Sequence, residues 1–422
     1  MPVDGLVDWM MAQGEDAPLL LSASQLAAWQ ERTVGSVGIA VSGGSDSMAM
    51  LHLLSRVAPR LGWSVRAVTV DHRLRPEAAD EAAFVGRICQ SLGVPHDILL
   101  WKHDEVAGNL MQAASDARYG LMAAWARDQG LDLIVLAHTA DDQAETFLMG
   151  LSRAAGLDGL SGMRPHFDVD GMTFCRPLLG HPREALRGFL SRHRLDWVDD
   201  PSNDNDRFAR VKARHALKAL KPLGITVDRL STVIANLSSS QRALHHAVAE
   251  TAKTMVEEKA GALYFHQSAF LQCAPEVQRR LLIAMVQWIA GSRHAPRENK
   301  IAALGRAVVA GRDATLAGVR FRWSGEACTV SREARACGAP VPAGQLWDGR
   351  WWLEAPMGEV RALGAAGLRS CPEWRALGLS RQVLEVTPGL WHGDHLIAAP
   401  CAGLGNSTAT LTASFSLFLL SH

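Results

Sequence analysis

A hexapeptide rich in glycine and serine, Ser42-Gly43-Gly44-Ser45-Asp46-Ser47, follows the first short apolar run of the chain. Two glycines let the backbone turn tightly, the hydroxyls add donors, and the positive end of a following helix favours an anion. These features predict a cradle for a phosphate or pyrophosphate group. Asp46 suits such a cradle when a divalent cation lies between its carboxylate and the phosphates. The hexapeptide lacks the Gly-Lys-Ser/Thr ending of a Walker loop, and the alternative is a helix start capped by Asp46.

A second polar cluster, His138 to Thr146, follows the fourth apolar run and opens an amphipathic helix. Thr139 and Asp142 have the spacing of a capping box. Asp142 and Glu145 share a helix face distinct from the apolar stripe, and Asp141 lies at its border. Acids in a first helical turn also serve the helix dipole, which is the alternative interpretation. Three acids beside a histidine indicate Mg²⁺ binding or acid–base chemistry.

Two other segments carry polar residues of interest. Asp71 and His72 end the second apolar run, where an aspartate suits contacts to the ribose or base of a nucleotide, and a solvated loop is the alternative. Arg118 lies in a predicted helix before the fourth run and, taken alone, is typical of a surface arginine.

A basic run extends from residue 207 to residue 221, with six Lys or Arg residues and no acid. Arg207, Arg210 and Arg214 recur at helical spacing on one face. A solvated helix face is the default interpretation, and binding to a phosphate backbone is the functional alternative. Because the whole chain has 43 basic and 43 acidic residues, the run is a local excess of charge. The zero net charge excludes only a uniformly basic nucleic-acid binder.

Short apolar runs alternate with stretches of helical length in the first half of the chain. The predicted strands are residues 37–41, 65–70, 96–101 and 131–137, and the predicted helices are residues 47–58, 77–92 and 110–129. This alternation predicts an α/β fold with a parallel sheet covered on both faces. Ligands of such sheets bind outside the carboxyl ends of the strands. The glycine-rich loop, Asp71-His72 and the cluster from His138 should therefore face one crevice.

The second half of the chain has a different character. The helical period dominates from about residue 226 to 310, with little strand signal. Alternating residues 319–323, an expected type I′ turn at Asp348-Gly349, and an apolar stretch at 408–420 predict strands. We therefore expect three domains: residues 1–222, a helical domain at 223–314 and a small β-rich domain at 315–422.

The composition limits the class of protein. Of 422 residues, 48% are hydrophobic and 20% charged, which excludes an intrinsically disordered chain. The seven cysteines are scattered without a C-x-x-C pair, which argues against a zinc ribbon or dithiol motif and favours a reducing compartment. An acidic N-terminus without a basic segment, and no run of 18 apolar residues, predict a cytoplasmic protein without a membrane span.

Several motifs in order resemble the N-type ATP pyrophosphatases, which adenylate a substrate and release pyrophosphate. Within that group, the chain is similar to the tRNA(Ile)-lysidine synthase family over about residues 34 to 216. The motifs that carry the resemblance are SGGSDS, DHRLRPEAADEA, the Ala117-Arg118-Tyr119 step, HTADDQAETFLMGLSRAAGLDGLSGM, Arg176-Pro177-Leu178-Leu179 and DPSNDNDRFARVKAR.

The resemblance implies a two-step reaction. ATP activates C2 of the wobble cytidine in the CAU anticodon of an isoleucine tRNA, and free lysine then displaces AMP to give lysidine. By the same resemblance, residues 42–47, Asp71 and His72 would bind ATP, and Asp46 with Asp142 would serve Mg²⁺. The catalytic residues would be Asp46, Arg118, His138, Asp142 and Glu145, and the tRNA-binding residues would be Arg207, Arg210 and Arg214.

Three departures, at Thr139, Ala79 and Val211, and two alternatives accompany the resemblance. The family often has a second histidine where this chain has Thr139, so a role that needs both histidines is not expected. A tRNA thiolase of the same group is one alternative, although no suitable cysteine pair stands near the motifs. A non-catalytic nucleotide- or RNA-binding module is the other, and retention of Asp46, His138, Asp142 and Glu145 argues against it. The sequence leaves open whether the chain forms a homodimer.

Overall fold

The computed structural model describes residues 8–25, 34–71, 78–101, 110–199, 209–292 and 294–421. By its internal contacts the chain forms two compact units, Met1–Gln241 and Arg242–His422. The division between the units falls within one long helix, Val227–Met255. The predicted three domains, with boundaries at residues 222 and 314, stay a prediction.

The first unit contains a six-stranded sheet with the strand order β3-β2-β1-β4-β6-β5. All neighbouring strands pair in parallel except β5, which pairs antiparallel with β6. The four predicted strands are confirmed, although β4 is shorter than the predicted 131–137. The strands are β1 (Ser36–Ala40), β2 (Ser64–Asp71), β3 (His96–Leu100), β4 (Leu133–Val135), β5 (His166–Val169) and β6 (Met172–Cys175).

Helices cover both faces of this sheet. Val37, Ile39 and Val135 belong to a core on one face, and Ile134 and Phe174 belong to a core on the other. Strands buried on both sides explain the continuous apolar runs in the sequence. The α-helices that begin in the first unit are α1 (Ala17–Ser24), α2 (Ser45–Leu61), α3 (Ala78–Leu92), α4 (Leu110–Asp128), α5 (Ala140–Leu151), α6 (Leu157–Leu160), α7 (Arg183–Arg192), α8 (Ala209–Leu220) and α9 (Val227–Met255).

The strand order reverses at β1, which has β2 on one side and β4 on the other. The chain leaves β1 towards β2 on one side and leaves β4 towards β5 and β6 on the other. The two connections diverge and leave a crevice at the carboxyl ends of the strands. The loop at 42–47 follows β1, and His138 follows β4, so the crevice lies between the two predicted polar clusters.

The second unit combines helices with antiparallel sheets. One sheet has the order β7-β8-β11-β10-β9, a second has β12-β14-β15-β16, and β13 pairs with β17. Its strands are β7 (Glu257–Lys259), β8 (Ala262–His266), β9 (Ala314–Leu316), β10 (Val319–Ser324), β11 (Ala327–Arg332), β12 (Val341–Pro342), β13 (Trp351–Leu353), β14 (Glu359–Ala362), β15 (Pro388–His392), β16 (His395–Ala398) and β17 (Ala409–Leu411). Its further helices are α10 (Gln267–Gln272), α11 (Pro275–Ala290), α12 (Glu298–Val309), α13 (Gly364–Arg369), α14 (Arg381–Leu384) and α15 (Phe415–Ser421).

Three local predictions in this unit can be compared with the structure. Positive φ angles at Asp348 (51°) and Gly349 (68°) agree with the predicted type I′ turn. Strands β7 and β8 lie in the stretch expected to be helical, and β8 pairs with β11 of the β-rich stretch. The strand predicted over 408–420 is wrong after Leu411, because Phe415 and Leu419 are buried at a four-residue spacing on helix α15.

No helix among the described residues is both long and apolar enough to cross a membrane.

Candidate active site

The loop at residues 42–47 turns between β1 and the N-terminus of α2. Gly43 has a φ of +89°, which a residue with a side chain rarely adopts. The Ser42 N–H donates to Ser47 Oγ at 3.1 Å, and Ser47 Oγ donates to the Gly44 carbonyl at 3.0 Å. Ser47 therefore closes the loop from within. This compact turn at a helix N-terminus is a geometry that favours phosphate binding.

Thr139 and Asp142 form the predicted capping box at the start of α5. Asp142 Oδ2 accepts hydrogen bonds from the Thr139 N–H and the Thr139 hydroxyl, both at 2.9 Å. Thr139 is fully buried. The residue that departs from the resembling family thus fixes the orientation of the Asp142 carboxylate and leaves Oδ1 for other partners.

Arg183, at the start of α7, joins three of the predicted catalytic acids. Its Nε lies 2.8 Å from Asp46 Oδ2, its Nη2 lies 3.4 Å from Asp142 Oδ1, and its Nη1 lies 3.6 Å from Glu145 Oε1. Its backbone N–H donates to Asp141 Oδ2 at 2.7 Å. The predicted convergence of the two polar clusters is therefore mediated by an arginine that the sequence analysis did not assign to the site.

A signal for Arg183 is present in the sequence. Pro182 precedes it, and a cation in the first turn of a helix opposes the helix dipole. Acids elsewhere in the fold can offset this unfavourable interaction. The identity of those acids depends on the tertiary structure.

Glu145 is the most deeply buried of the acids, with 1% of its surface exposed. Its Oε1 accepts a hydrogen bond from Arg214 Nε at 2.9 Å, whereas Oε2 has no hydrogen bond within the described residues. Arg210, on the same helix α8, lies 4.0 Å from Asp142 Oδ1 and remains about half exposed. Both arginines had been expected to face tRNA. In the structure they border the acids, their contact with tRNA stays a prediction, and Arg207 lies outside the described residues.

His138 and Arg118 lie in another part of the site and are not among the contacts of Arg183. Arg176 Nε donates to His138 Nδ1 at 3.2 Å. Because the guanidinium can only donate, Nδ1 is the acceptor and the neutral ring carries its proton on Nε2. Arg118 stacks near Tyr119, and its Nε has no hydrogen bond within the described residues.

Burial and nearby charges separate the pKa values of these groups. Burial and the Arg176 guanidinium lower the pKa of His138 to about 3, so the imidazole is neutral at pH 7. Burial raises the pKa of Asp46, which Arg183 offsets only in part. Burial acts in the same direction on Asp142, but Arg183 and the Thr139 N–H hold its pKa below the usual range. Asp142 is therefore a stable anion, and His138 is suited to donating a hydrogen bond through Nε2.

Two cavities meet at residues 42–47, the predicted phosphate loop, and both are lined by Ser42, Asp46 and Ser47. The first, of about 410 Å³, is bordered by strand ends and also lined by Asp71, Arg118 and His138. The second, of about 740 Å³, is polar and also lined by Arg183, Arg187 and Arg214. Their sizes and linings suit a nucleoside on one side of the loop and charged groups on the other.

The predicted site residues are largely brought together. Ser42, residues 44–47, Asp71, Arg118, His138, Asp142 and Glu145 border the cavities or the acid cluster, Gly43 forms the turn of the loop, and His72 lies outside the described residues. No group of three or more His, Cys, Asp or Glu side chains with metal-binding geometry occurs within the described ranges. All seven cysteines are free thiols.

Comparison with known proteins identifies the family. A model of the PP-loop domain matches residues 20–220. The tRNA(Ile)-lysidine synthase of Ruegeria pomeroyi is 44% identical over 394 residues, which cover 92% of this chain and 94% of the relative. This chain belongs to the tRNA(Ile)-lysidine synthase family. The synthase of Zymomonas mobilis is 40% identical over 262 residues, covering 61% of this chain and 77% of that relative.

Among solved structures, this chain is similar to a tRNA thiolase from Methanococcus maripaludis with its 4Fe-4S cluster. The match covers 54% of this chain and 79% of the thiolase chain. The TM-score is 0.45 and the identity is 16%, a level of likeness that carries no argument about activity. The named relatives in this family are ATP-dependent ligases, and they do not favour a thiolase or a non-catalytic module.

Proposed function

We propose that this protein attaches lysine to C2 of the wobble cytidine in tRNA(Ile) with a CAU anticodon, converting ATP to AMP and pyrophosphate. One observation carries the proposal. Asp46, Asp142 and Glu145 converge within 3.6 Å of a single cationic group, beside a phosphate loop that separates two cavities. Such a site suits both an activated nucleotide and a positively charged amine. Family membership supports the same reaction.

The first step would use the smaller cavity and the loop. The adenosine would lie near Asp71 and Arg118, and the phosphates would bind residues 42–47. The C2 carbonyl oxygen of cytidine attacks the α-phosphorus, and the bond from that phosphorus to pyrophosphate breaks. Hydrogen-bond donors that the fold holds in place before the reaction stabilise the charge that develops on the phosphoryl oxygens. The His138 Nε2–H is one such donor because its Nδ1 is held by Arg176.

The second step would use the buried acids. The ε-amine of lysine attacks C2, and the bond from C2 to the oxygen of AMP breaks. Glu145, which lies 3.6 Å from the Arg183 guanidinium and so already accommodates a cation, would hold the ammonium form of lysine before the reaction. Glu145 Oε2, which has no hydrogen bond within the described residues, is available to take the proton that the amine must lose.

Mg²⁺ fits this donor set. Asp46 and Asp142 start two helices beside the phosphate loop, and Mg²⁺ is commonly held by one or two carboxylates together with substrate phosphates. When bound, the ion would neutralise charge on the phosphates and on the leaving pyrophosphate. Asp46 and Asp142 are the residues that would hold it.

The tRNA would approach from the side of α8. Arg210 is about half exposed and lies next to Asp142, so a phosphate bound there would stand at the entrance to the acids. Arg214 lies deeper, at Glu145. We keep Arg207, Arg210 and Arg214 as proposed tRNA contacts, with Arg210 the best placed of the two that the structure describes.

The decisive experiment incubates the purified full-length protein with ATP, Mg²⁺, labelled lysine and a transcript of CAU-anticodon tRNA(Ile). We expect labelled tRNA and AMP formation that requires lysine. The matched control is the same transcript with uridine in place of the wobble cytidine, which should remain unlabelled. Absence of lysine-dependent AMP and of labelled tRNA would refute the proposed function.

A further inference from the structure

Arg183 occupies the position that the proposed reaction assigns to other cations. All three of its guanidinium nitrogens face carboxylates, one each on Asp46, Asp142 and Glu145. The proposed function, on which this inference rests, places Mg²⁺ at two of these acids and the lysine ammonium among them. Arg183 contacts Asp46 Oδ2, Asp142 Oδ1 and Glu145 Oε1, so a cation that takes these oxygens displaces the guanidinium.

Access to Glu145 depends on the same side chain. Arg183 and Arg214 line the larger cavity and both contact Glu145, whose own surface is almost fully buried. In the state described here, the arginines separate Glu145 from the cavity. Movement of Arg183 would open one of the two covered approaches to that carboxylate.

The phosphate loop provides a second set of partners for the guanidinium. Arg183 lines the same cavity as Ser42, Gly44 and Ser45, where the phosphates of ATP would lie. Phosphate is a strong bidentate partner for arginine. The backbone of Arg183 is anchored because its N–H binds Asp141, while its side chain remains one-fifth exposed. The side chain can therefore change partners without displacement of the helix.

We propose that Arg183 is a positioning residue that exchanges the three carboxylates for the phosphates of ATP, so that ATP binding prepares the lysine site. Lysine then binds more tightly to the ATP-bound protein than to the free protein. By linkage, lysine strengthens ATP binding by the same factor.

Arg187 offers a matched comparison on the same helix. It lines the same cavity one turn further along, with Nε 3.3 Å from Ser45 Oγ and Nη2 2.7 Å from Asp199 Oδ1. Within the described residues its ion-pair partner is Asp199, and it has no ion pair with Asp46, Asp142 or Glu145. Its loss removes a cation from the cavity without uncovering those acids.

The test measures lysine binding to the full-length protein by calorimetry, with and without Mg²⁺ and α,β-methylene-ATP, an analogue that blocks adenylation. For the wild type we expect the analogue to tighten lysine binding by about tenfold or more, a common size of coupling. In Arg183→Gln, lysine alone should bind more tightly than to the wild type, and the coupling factor should fall below about twofold. In Arg187→Gln, analogue binding should weaken while the coupling factor stays near that of the wild type.

The outcomes separate this inference from the proposed function. Equal lysine affinity with and without the analogue in the wild type would overturn the role of Arg183, whatever the variants do. Wild-type coupling in a folded Arg183→Gln protein would also overturn it and leave the proposed function intact. Failure of the wild type to bind lysine in any state would overturn this inference, whereas the tRNA-labelling assay decides the proposed function separately.

Discussion

Two arginines, one in each unit, have opposite kinds of surroundings. Arg183 is paired with three carboxylates at the wall of an open cavity. Arg350 is 3% exposed and donates to the backbone carbonyls of Ile289 and Gly261, at 3.0 and 2.7 Å. It lies over the rings of Trp288 and Trp351, 4.4 and 5.7 Å from their centroids. The same type of side chain thus lines a polar cavity in one unit and belongs to a core in the other.

The difference lies in whether the partners can be replaced. Carboxylates beside a cavity can exchange a guanidinium for an incoming cation, and the guanidinium can move to an incoming phosphate. Backbone carbonyls in a core have no alternative donor when the arginine leaves, so they lose a hydrogen bond outright. Burial lowers the pKa of Arg350 to about 10, which still leaves it charged at pH 7. The comparison predicts loss of activity in the first unit and loss of stability in the second.

The largest effect is expected for Glu145→Gln. The amide keeps the shape of the side chain but cannot accept the proton of the lysine amine, so tRNA labelling should fall by about a thousandfold. The melting temperature should change by only a few degrees. The matched control is Asp128→Asn, an exposed acid on α4, which should leave the rate unchanged. Labelling by Glu145→Gln within tenfold of the wild-type rate would contradict the assignment.

The next largest effect is expected for Arg350→Met, and it concerns stability. The substitution leaves two buried carbonyls without a donor, which should cost about 3 kcal/mol of unfolding free energy. Chemical denaturation followed by tryptophan fluorescence measures this loss. Arg361→Met is the control, because Arg361 also lies over a tryptophan and donates to a carbonyl but is about one-third exposed. Equal losses in the two variants would show that burial is not the cause.

A smaller effect concerns the pH dependence of stability. Burial, with a contribution from Arg56, lowers the pKa of His52 to about 4 from the ordinary 6.5. The unfolded chain therefore binds a proton between pH 6.5 and 4 that the folded chain does not, so stability is complete above pH 6.5 and declines as the pH falls. His52→Leu should reduce this decline by up to about 1.4 kcal/mol per pH unit. Denaturation at pH 8 measures any packing effect separately, and an unchanged slope would contradict the prediction.

The smallest effect is expected for Arg210→Ala. Loss of one phosphate contact should weaken tRNA binding a few-fold and reduce the slope of log affinity against log salt by about 1. Filter binding at several salt concentrations measures both quantities. Arg153→Ala, at an exposed position outside the site, is the control. An unchanged slope would contradict this prediction and support the alternative that Arg210 lies on a solvated helix face.

Much of the first unit was predictable from sequence because its signals are local. Four apolar runs, the turn at Gly43-Gly44 and the capping box at Thr139-Asp142 each depend on a few consecutive residues. The rule that parallel strands place their carboxyl ends at one edge then brought the two clusters together. The second unit was harder to predict, because β8 and β11 pair across more than 60 residues and helix α15 has too few residues for a clear period.

The sequence by itself determined the phosphate loop, the acids of α5 and the sheet that positions them, since local backbone preferences and apolar periodicity dictate these features. Only the tertiary structure decided which charges meet. Arg183 and Asp46 are 137 residues apart, and Arg214 and Glu145 are 69 apart. Ion pairs over such separations cannot be read from the sequence, because the residues next to an arginine or an acid do not indicate which distant charge will become its partner. The folded chain selects their partners by where it places the helix termini around the crevice.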